Sequence, residues 1–320
     1  MPQHRAARIL VTGAGGFIGK VIVDRLRHAG HETRAGVRRR PPAQAGCLIA
    51  DLDRPETLAA ALRDVDLVVH AAYGDVVRMA DQCGALLAAM THAAACRLVL
   101  LSSVAVYGNL EGPIDEHATL PPPIDGYAAG KLACETMVGH WTEQAGNRAI
   151  ILRPGIVYGK NSPFWIDRMV ERIRLGGWGT FGAAGEGIAA LIHVDDLAAM
   201  CLSAVQELEG ESGQSISMLN AIGPETPSWN DYFSSLAAAI GAPPLQPIAA
   251  PALRWRQALA VPAKVWRKLG MPGMAAAASA PMPGEVALFM RKARYDMAAA
   301  RQVLGFEPQV GLAEGLGRSL

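Results

Sequence analysis

Cysteine is scarce in this sequence, and neither sign of charge is in excess. The five cysteines are widely scattered and form no Cys-x-x-Cys pair, which argues against a disulfide framework and is typical of reduced thiols in a cytosol. Lys and Arg number 30 against 29 Asp and Glu, a formal net charge of +1, so no overall field attracts nucleic acid. We therefore expect no metal site, no nucleic-acid partner, and a small-molecule substrate or ligand.

Long hydrophobic runs are also missing. No uninterrupted apolar stretch approaches the length of about 18 residues that a membrane-spanning helix needs. The first apolar run, residues 8–11, leads into a glycine loop and not into a small-residue cleavage site. The sequence therefore predicts a cytoplasmic protein without an integral membrane segment.

Short aliphatic runs alternate with segments of helical length in the first half of the chain. Strands are predicted over residues 8–12, 32–37, 47–50, 66–70, 97–102 and 149–152. Helices are predicted over residues 19–28, 55–62, 79–94 and 127–144. Repetition of strand, helix and strand builds the α/β Rossmann fold, a doubly wound parallel sheet with helices on both faces.

The composition changes after about Gly223. Seven prolines between positions 224 and 262 interrupt the alternation, and residues 271–283 form a stretch of mainly Met, Ala, Pro and Gly without periodicity. We predict a nucleotide-binding Rossmann domain over residues 1–158 and 188–223. A smaller, irregular substrate domain is predicted over residues 159–187 and 224–320.

Residues 254–269 mix aromatic and aliphatic residues with five cations. The favoured interpretation is a helix that packs on the substrate domain and is interrupted near Pro262. A basic amphipathic helix that touches a membrane surface is the alternative. The balanced charge of the whole chain favours the first, and the role of this segment stays open.

A glycine-rich loop joins the first predicted strand to the first predicted helix. Residues 9–19 read Ile-Leu-Val-Thr-Gly-Ala-Gly-Gly-Phe-Ile-Gly. Gly13 permits a tight turn, Gly16 lets the backbone approach a pyrophosphate, and Gly19 lets the helix pack closely on the strand. The N–H groups of the first helical turn then face the anion. This context predicts a dinucleotide-binding site.

The end of the second strand bears on which dinucleotide binds. NAD-binding proteins usually place a carboxylate there, whereas this strand ends Gly-Val-Arg-Arg-Arg, and its acid, Glu32, lies at the opposite end. Arg38 and Arg39 are predicted to hold a 2′-phosphate, because a guanidinium can bond two phosphate oxygens at once. Arg40 is predicted to be a solvated surface charge. NADP(H) is favoured, and NAD(H) stays possible.

Tyr127 and Lys131 lie four residues apart, on one face of a predicted helix. A free phenol has a pKa near ~10, and a nearby ammonium should lower that pKa and make Tyr127 a usable proton donor or acceptor. Ser103 follows the strand over residues 97–102, at the carboxyl edge of the sheet where ligands bind. These three residues are the predicted catalytic set.

These motifs, in this order, resemble the extended short-chain dehydrogenase/reductases of the NAD-dependent epimerase/dehydratase family. The resemblance covers nearly the whole chain and continues through residues 153–159, 193–197 and 304–308. It implies that Ser103 and Tyr127 flank the reacting carbonyl and that Lys131 also bonds the nicotinamide ribose. It further implies a homodimer formed through the helices over residues 79–94 and 127–144.

The resemblance also implies further cofactor contacts. Asp51 and Leu52 are expected to hold the adenine ring. The remaining residues expected in the cofactor site are Phe17, Ile18, Ala71, Ala72, Pro154 and Val157. His193 and Asp195 are instead interpreted as residues that order a strand end and cap the next helix, and His70 as a packed core residue.

Differences from the family pattern argue against two of the family's activities, the dehydration of sugars and the epimerisation of nucleotide sugars. Family members that dehydrate sugars carry an acidic pair after the active-site hydroxyl, where this chain has Val104 and Ala105. Epimerases of nucleotide sugars typically offer an asparagine at Ile156 and an arginine within residues 189–192, where this chain is apolar. The diphosphate of a nucleotide sugar would therefore lack a hydrogen-bonding partner at each of these two positions.

A carbonyl reductase is therefore the favoured prediction, similar to reductases of the dihydroflavonol or 3-hydroxysteroid type. A nucleotide-sugar 4-epimerase with tightly bound NAD is the first alternative. A non-catalytic protein that senses NADP is the second alternative. Four aromatic residues are candidates for an apolar substrate pocket, although core packing is the favoured interpretation of each: Tyr73, Phe164, Trp165 and Trp178.

Overall fold

The computed structural model describes residues 7–39, 47–144, 146–210, 213–268 and 275–320. Arg40 and Leu269, which the predictions above include, lie outside the described residues. The strands are β1 (Arg8–Thr12), β2 (Glu32–Val37), β3 (Cys47–Ile49), β4 (Leu67–His70), β5 (Arg97–Leu101), β6 (Gly112–Ile114), β7 (Arg148–Pro154), β8 (Ile156–Tyr158), β9 (Leu191–His193), β10 (Ile216–Ala221) and β11 (Ala293–Tyr295).

The helices lie between and after these strands. They are α1 (Phe17–His28), α2 (Pro55–Ala61), α3 (Met79–His92), α4 (Gly126–Thr142), α5 (Arg168–Arg174), α6 (Val194–Glu209), α7 (Trp229–Ala239), α8 (Ala250–Lys268), α9 (Ala275–Ala278), α10 (Pro283–Met290), α11 (Ala298–Leu304) and α12 (Leu312–Ser319). Every strand and helix predicted in the first half of the chain is present, with ends within two residues of the prediction. No bounds are predicted for five further elements within the predicted nucleotide-binding domain: β6, β8, β9, α6 and β10.

Seven strands form a parallel sheet in the order β10-β7-β5-β4-β1-β2-β3. The chain runs outward from β1 to β3 and then returns to β4, on the other side of β1. This reversal makes the carboxyl ends of β1 and β4 the switch point where ligands bind in open α/β sheets. Thr12 lies opposite His70 in the β1–β4 register, so both strands end at the same edge.

The two faces of the sheet are covered by different helices because side chains alternate along a strand. Ile9 and Val11 of β1 point into one core with α1 and α6. Leu10 points into the other core, with α2, α3 and α4. The doubly wound α/β architecture predicted from the sequence is confirmed.

A separate aromatic core joins elements from the second half of the chain. Trp178, Phe181, Phe233 and Phe289 contact one another with ring centroids 5.1 to 6.3 Å apart, and α12 packs against α7. Two short parallel pairs, β6–β11 and β8–β9, lie outside the main sheet.

Two details of the second half differ from the predictions. Helix α11, placed by the prediction in the substrate domain, packs on α6 and β10 in the core of the main sheet, because the chain returns there after β11. The predicted interruption of the helix near Pro262 is wrong, since α8 runs continuously from Ala250 to Lys268. A proline removes one hydrogen bond from a helix, and the flanking turns of α8 continue past it.

The described residues include no helix that is both long and apolar enough to cross a membrane.

Candidate active site

The glycine loop between β1 and α1 packs as closely as its sequence predicts. Gly13 turns the chain with a φ of +73°, and a Cβ there would lie 2.6 Å from the backbone of Ala72. A Cβ on Gly19 would overlap the carbonyl oxygen of Gly13. The tight turn and the close helix packing assigned to these two glycines are therefore present.

The outer side of the same loop is open. A Cβ on Gly16 would meet nothing nearer than the Gly13 oxygen at 3.3 Å, and one on Gly15 nothing nearer than Val37 at 3.6 Å. Gly16 is the N-cap of α1 and no side chain caps that end of the helix among the described residues, so the N–H groups that begin at Phe17 and Ile18 keep their capacity to donate. A dinucleotide pyrophosphate fits this cradle.

Arg38 and Arg39 follow directly after β2 and are exposed. Neither guanidinium pairs with an acid within the described part of the chain. Both cations therefore lie at the carboxyl edge of the sheet without a counter-charge, as a site for a 2′-phosphate requires.

The loop after β3 is tied to the segment after β4. The backbone N–H of Asp51 donates to Thr57 at 3.0 Å, and Leu52 packs partly on the core. One oxygen of Asp53 forms an ion pair with Arg78 at 3.0 Å and accepts a hydrogen bond from Gln82 at 2.8 Å. These contacts hold the predicted adenine-binding residues at the same edge as the glycine loop.

Ser103 lies near enough to Tyr127 to act on its phenol, whose pKa it lowers. Ser103 caps a 3-10 turn over Val104–Tyr107, with its Oγ accepting from the N–H of Ala105 at 3.1 Å. Asp125 caps α4 by accepting from the N–H of Ala128 at 2.8 Å. The two caps fix the starts of the turn and the helix that carry the catalytic hydroxyls.

Tyr73 links this pair to the glycine loop. Its ring meets the ring of Tyr127 edge-on, with centroids 5.5 Å apart. Its neighbour Ala72, with Ala71, packs against Gly13. The phenol of Tyr127 therefore lies beside the nucleotide cradle, as the sequence predicts. Tyr73 itself is 56% exposed at the mouth of the site.

Lys131 is buried one helical turn after Tyr127. Its Nζ donates to the carbonyl oxygen of Leu101 at 2.7 Å and lies 5.9 Å from the centroid of the Tyr127 ring. Burial lowers the pKa of Lys131, and the nearby Cys134, Cys83 and Glu135 offset part of that shift.

The prediction that Lys131 makes the phenol of Tyr127 more acidic is wrong. The pKa of Tyr127 is raised, first by burial and then by Tyr73 and Asp125, and the hydrogen bond from Ser103 lowers it only in part. The ammonium is directed at Leu101 and not at the phenol oxygen, so desolvation of the phenolate dominates.

A buried ion pair that sequence reasoning missed lies behind the catalytic residues. Arg153 donates from Nε and Nη2 to the two carboxylate oxygens of Glu135, at 3.0 and 2.7 Å, and Ser102 donates to the same carboxylate. Tyr107 accepts from Arg153 at 2.9 Å and donates to Asn220 at 2.7 Å. This network joins the ends of β5, β7 and β10 to α4.

Electrostatics of the network follow from that pairing. Burial alone would lower the pKa of Arg153, but the hydrogen bonds and charge of Glu135 outweigh it and raise that pKa. Burial raises the pKa of Tyr107 to about 12, against the opposing effect of Arg153. A signal for the network existed in the sequence: Glu135 lies on the Tyr127–Lys131 face of α4, and Arg153 ends a buried strand, where a charge requires a partner.

His70 and His193 have the structural roles that the sequence predicts for them. His70 shares a hydrogen bond of 2.7 Å with Thr12, and burial, followed by the charge of Lys131, lowers its pKa to about 3. His193 caps α6 by accepting from the N–H of Asp195 at 3.3 Å. Asp195 in turn pairs with Arg318 at 3.1 Å.

The predicted pocket aromatics divide into separate places. Tyr73 is at the catalytic pair, whereas Trp178 belongs to the aromatic core and Trp165 packs on Trp229 with centroids 5.2 Å apart. Phe164 is exposed. Core packing is therefore confirmed for Trp165 and Trp178. It is wrong for Tyr73 and Phe164, which are exposed, and Tyr73 contacts Tyr127.

The carboxyl end of β7 carries the last predicted cofactor residues. Pro154 ends β7 opposite Ala221, and Val157 of β8 lies opposite Ile192. The apolar stretch over residues 189–192 is buried throughout. These side chains fill the small β8–β9 sheet and offer no polar group to a diphosphate.

Comparison with known proteins gives a consistent result. The model of the NAD dependent epimerase/dehydratase family matches residues 9–218. The chain is 29% identical over 261 residues to a 3-diazoavenalumate denitrifying reductase of Streptomyces sp, covering 74% of this chain and 83% of that protein. It is 26% identical over 336 residues to a 2-alkyl-3-oxoalkanoate reductase of Stenotrophomonas maltophilia, covering 97% and 98% of the two chains.

A solved structure shows the same fold. MoeE5 in complex with UDP-glucuronic acid and NAD superposes with a TM-score of 0.72 over 97% of both chains, at 24% identity. At that identity the likeness shows the fold alone.

Proposed function

Since this chain belongs to the NAD-dependent epimerase/dehydratase family and is an enzyme of the short-chain dehydrogenase/reductase superfamily, we propose that it is an NADP(H)-dependent oxidoreductase acting on a carbonyl or alcohol substrate. The observation that carries the proposal is the edge-on contact of Tyr127 with Tyr73, whose ring centroids are 5.5 Å apart. It lies beside the glycine cradle, where Ala72 meets Gly13. A proton donor and a nucleotide site therefore share one edge of the sheet.

The cofactor would be held by residues from several strand ends. The loop from Gly13 to Gly19 would take the pyrophosphate, Arg38 and Arg39 the 2′-phosphate, and Asp51 with Leu52 the adenine ring. The nicotinamide end would lie among Ala71, Ala72, Pro154, Val157 and the ammonium of Lys131. When bound, the nicotinamide supplies a hydride to a carbonyl or accepts one from an alcohol.

The chain's own residues would handle the proton. Because its pKa is raised, Tyr127 keeps its proton at neutral pH and can give it to a carbonyl oxygen that becomes an alcohol. Ser103 would donate a hydrogen bond to the same oxygen. The role of Tyr127 fits a reductase, because the reduction of a carbonyl to an alcohol consumes one proton.

The surroundings of the catalytic pair also support a reductase over the other activities of the family. Val104 and Ala105 follow Ser103 and hold no acid for a dehydration. Ile156 and the buried residues 189–192 leave two diphosphate contacts without a polar group. The two sequence relatives described above are both named as reductases.

A nucleotide-sugar 4-epimerase with tightly bound NAD is the second candidate. The observation in its favour is the fold shared with MoeE5, which was solved with UDP-glucuronic acid and NAD. The apolar residues at the two expected diphosphate contacts argue against it. A non-catalytic sensor of NADP is a third candidate, and the assembled Ser103, Tyr127 and Lys131 argue against that role.

The assembly and location complete the proposal. We place the enzyme in the cytoplasm, as a homodimer whose interface includes α3 and α4, which pack together in this chain. The division into a nucleotide-binding domain and a substrate domain is likewise proposed, with α11 reassigned to the nucleotide-binding core.

Identification of the nucleotide that copurifies, combined with a carbonyl substrate screen, tests the activity. A reductase should oxidise added NADPH in step with substrate and release the oxidised nucleotide. If the purified protein instead holds NAD tightly and interconverts sugar nucleotides without added cofactor, the reductase proposal is wrong and the epimerase is right.

A further inference from the structure

The acids of this chain are distributed unevenly. Residues 232–284, here called the acid-free segment, contain no Asp or Glu but five cations. The remainder of the chain carries 25 Lys and Arg against 29 Asp and Glu, a formal net charge of −4. The formal net charge of +1 is therefore the sum of a positively charged segment and a negatively charged remainder.

Helix α8 contains all five of these cations: Arg254, Arg256, Lys264, Arg267 and Lys268. One side of the helix is fixed to the protein. Leu253 is buried, Arg256 donates to the carbonyl of Gly177 at 2.9 Å, and Gln257 donates to that of Pro281 at 3.0 Å. Ala263 and Leu259 pack with α9. The inner side of α8 is therefore occupied.

The outer side of α8 carries two exposed indoles. Trp255 is 70% exposed and Trp266 is 43% exposed. Eleven residues separate them, about three helical turns, so they lie along the same side of the helix. Arg254, beside Trp255, is also exposed. Met282, next to the Pro281 that contacts Gln257, adds further exposed apolar surface.

Exposed tryptophan beside an exposed cation is the combination that an interfacial helix uses on a lipid bilayer. Indole rings are enriched at the level of the lipid head groups, and Lys and Arg are attracted to anionic lipids. An acidic protein surface would satisfy the cations but would offer the two indoles no apolar layer. The charge segregation and the aligned indoles both favour the membrane.

We propose that the outer side of α8 binds the surface of a membrane that contains anionic lipids. The contact is peripheral, because α8 lies along the protein and its inner side stays packed. It would bring the enzyme to a surface where apolar carbonyl substrates concentrate. The contact does not depend on the proposed reaction.

Flotation of the full chain with lipid vesicles tests the proposal. We expect binding to vesicles of phosphatidylcholine and phosphatidylglycerol in equal parts, little binding to phosphatidylcholine alone, and loss of binding at high salt. Tryptophan fluorescence should shift to shorter wavelength on binding, and the shift should be lost when Trp255 and Trp266 are both replaced by Phe.

Substitutions on α8 are compared with a matched change elsewhere. Arg254→Glu should weaken vesicle binding by about tenfold, since one cation is lost and one acid gained. Arg63→Glu makes the same charge change at an exposed position outside the acid-free segment and should have little effect. Trp255→Ser should weaken binding more than Trp255→Phe, which keeps an aromatic ring. Thermal unfolding confirms that each variant is folded.

Three results would overturn the proposal. The first is no binding to anionic vesicles at low salt, and the second is an equal loss of binding in Arg63→Glu and Arg254→Glu. The third is a change in oligomeric state when Trp255 is replaced by Ser, measured by size exclusion with light scattering. That outcome would make the outer side of α8 a contact between copies of this chain.

Discussion

The carboxylate of Glu135 lies one helical turn beyond Lys131 and receives both hydrogen bonds of the Arg153 fork. Ser102, the neighbour of the catalytic Ser103, donates to the same carboxylate. One buried ion pair therefore connects the helix that carries Tyr127 to the strand ends that carry Ser103 and Pro154. The pair therefore fixes the position of α4 relative to the ends of β5 and β7.

Replacing Glu135 by Gln should destabilise the protein. The guanidinium of Arg153 would stay buried without its counter-charge, which costs about 3–5 kcal/mol in comparable pairs. Urea denaturation gives the free energy of unfolding. Glu314→Gln is the matched control, because Glu314 pairs with Arg318 at the surface, where little change is expected. Equal effects of the two variants would contradict the role of the buried pair.

Removal of the Tyr127 hydroxyl should stop turnover and spare nucleotide binding. Tyr127→Phe keeps the ring against Tyr73 but loses the proton donor, so the rate should fall by at least about 10²-fold. NADPH affinity, measured by fluorescence titration, should stay within about threefold, since no cofactor phosphate contact is lost. Tyr73→Phe removes a hydroxyl from the neighbouring ring and serves as the control. Undiminished turnover in Tyr127→Phe would refute the assignment.

Arg38→Asp should discriminate between the two nicotinamide cofactors. Loss of a guanidinium that bonds a 2′-phosphate should weaken NADPH by about ten- to a hundredfold. NADH lacks this phosphate, and its affinity should change much less. Arg25→Asp, at an exposed position on α1, is the control for a general change of charge. An equal loss of affinity for NADPH and NADH would show that Arg38 does not bind the 2′-phosphate.

Gly19→Ala should disturb the nucleotide cradle. The added methyl would overlap the carbonyl of Gly13, and such overpacking costs about 1–3 kcal/mol. Gly139→Ala is a helical control, because a Cβ there meets nothing within 4 Å; it should be neutral or stabilising by up to about 1 kcal/mol. Thermal unfolding and NADPH titration on both variants measure the difference. A Gly19→Ala protein with unchanged affinity and stability would contradict the close packing.

Stability should depend on pH through His70. Its pKa falls from 6.5 to about 3 on folding, mainly because of burial. Below pH 6.5 the unfolded chain takes up a proton that the folded chain refuses, so this contribution is complete above pH 6.5 and is lost as the pH falls toward 3. His70→Asn should flatten the fall in unfolding free energy across that range. His92→Asn, on the exposed side of α3, should leave it as steep.

Local sequence predicted those parts of the structure that local chemistry determines. The loop from Gly13 to Gly19 and the spacing of Tyr127 and Lys131 depend on neighbours within a few residues, and both lie where the sequence places them. The pairing of Glu135 with Arg153, and the return of α11 to the sheet, depend on contacts between distant segments. Spacing along the chain carries no direct signal for such contacts.

The electrostatics of Tyr127 differed from the prediction for a related reason. The four-residue spacing places the ammonium of Lys131 on the same helix face, but the orientation of that side chain is decided by the carbonyl of Leu101. How far the phenol is buried depends on Tyr73, from another strand end. Helix geometry alone predicts that Lys131 lies near Tyr127. It does not predict whether burial or charge decides the pKa of Tyr127.

The peptide bond between Ala72 and Tyr73 joins the two halves of the site. Ala72 packs on the glycine turn and Tyr73 on the catalytic phenol, and consecutive Cα atoms are held about 3.8 Å apart. A shift of this strand end would therefore change the contact with Gly13 and the contact with the Tyr127 ring together. Covalent length thus limits how far apart these two contacts can lie.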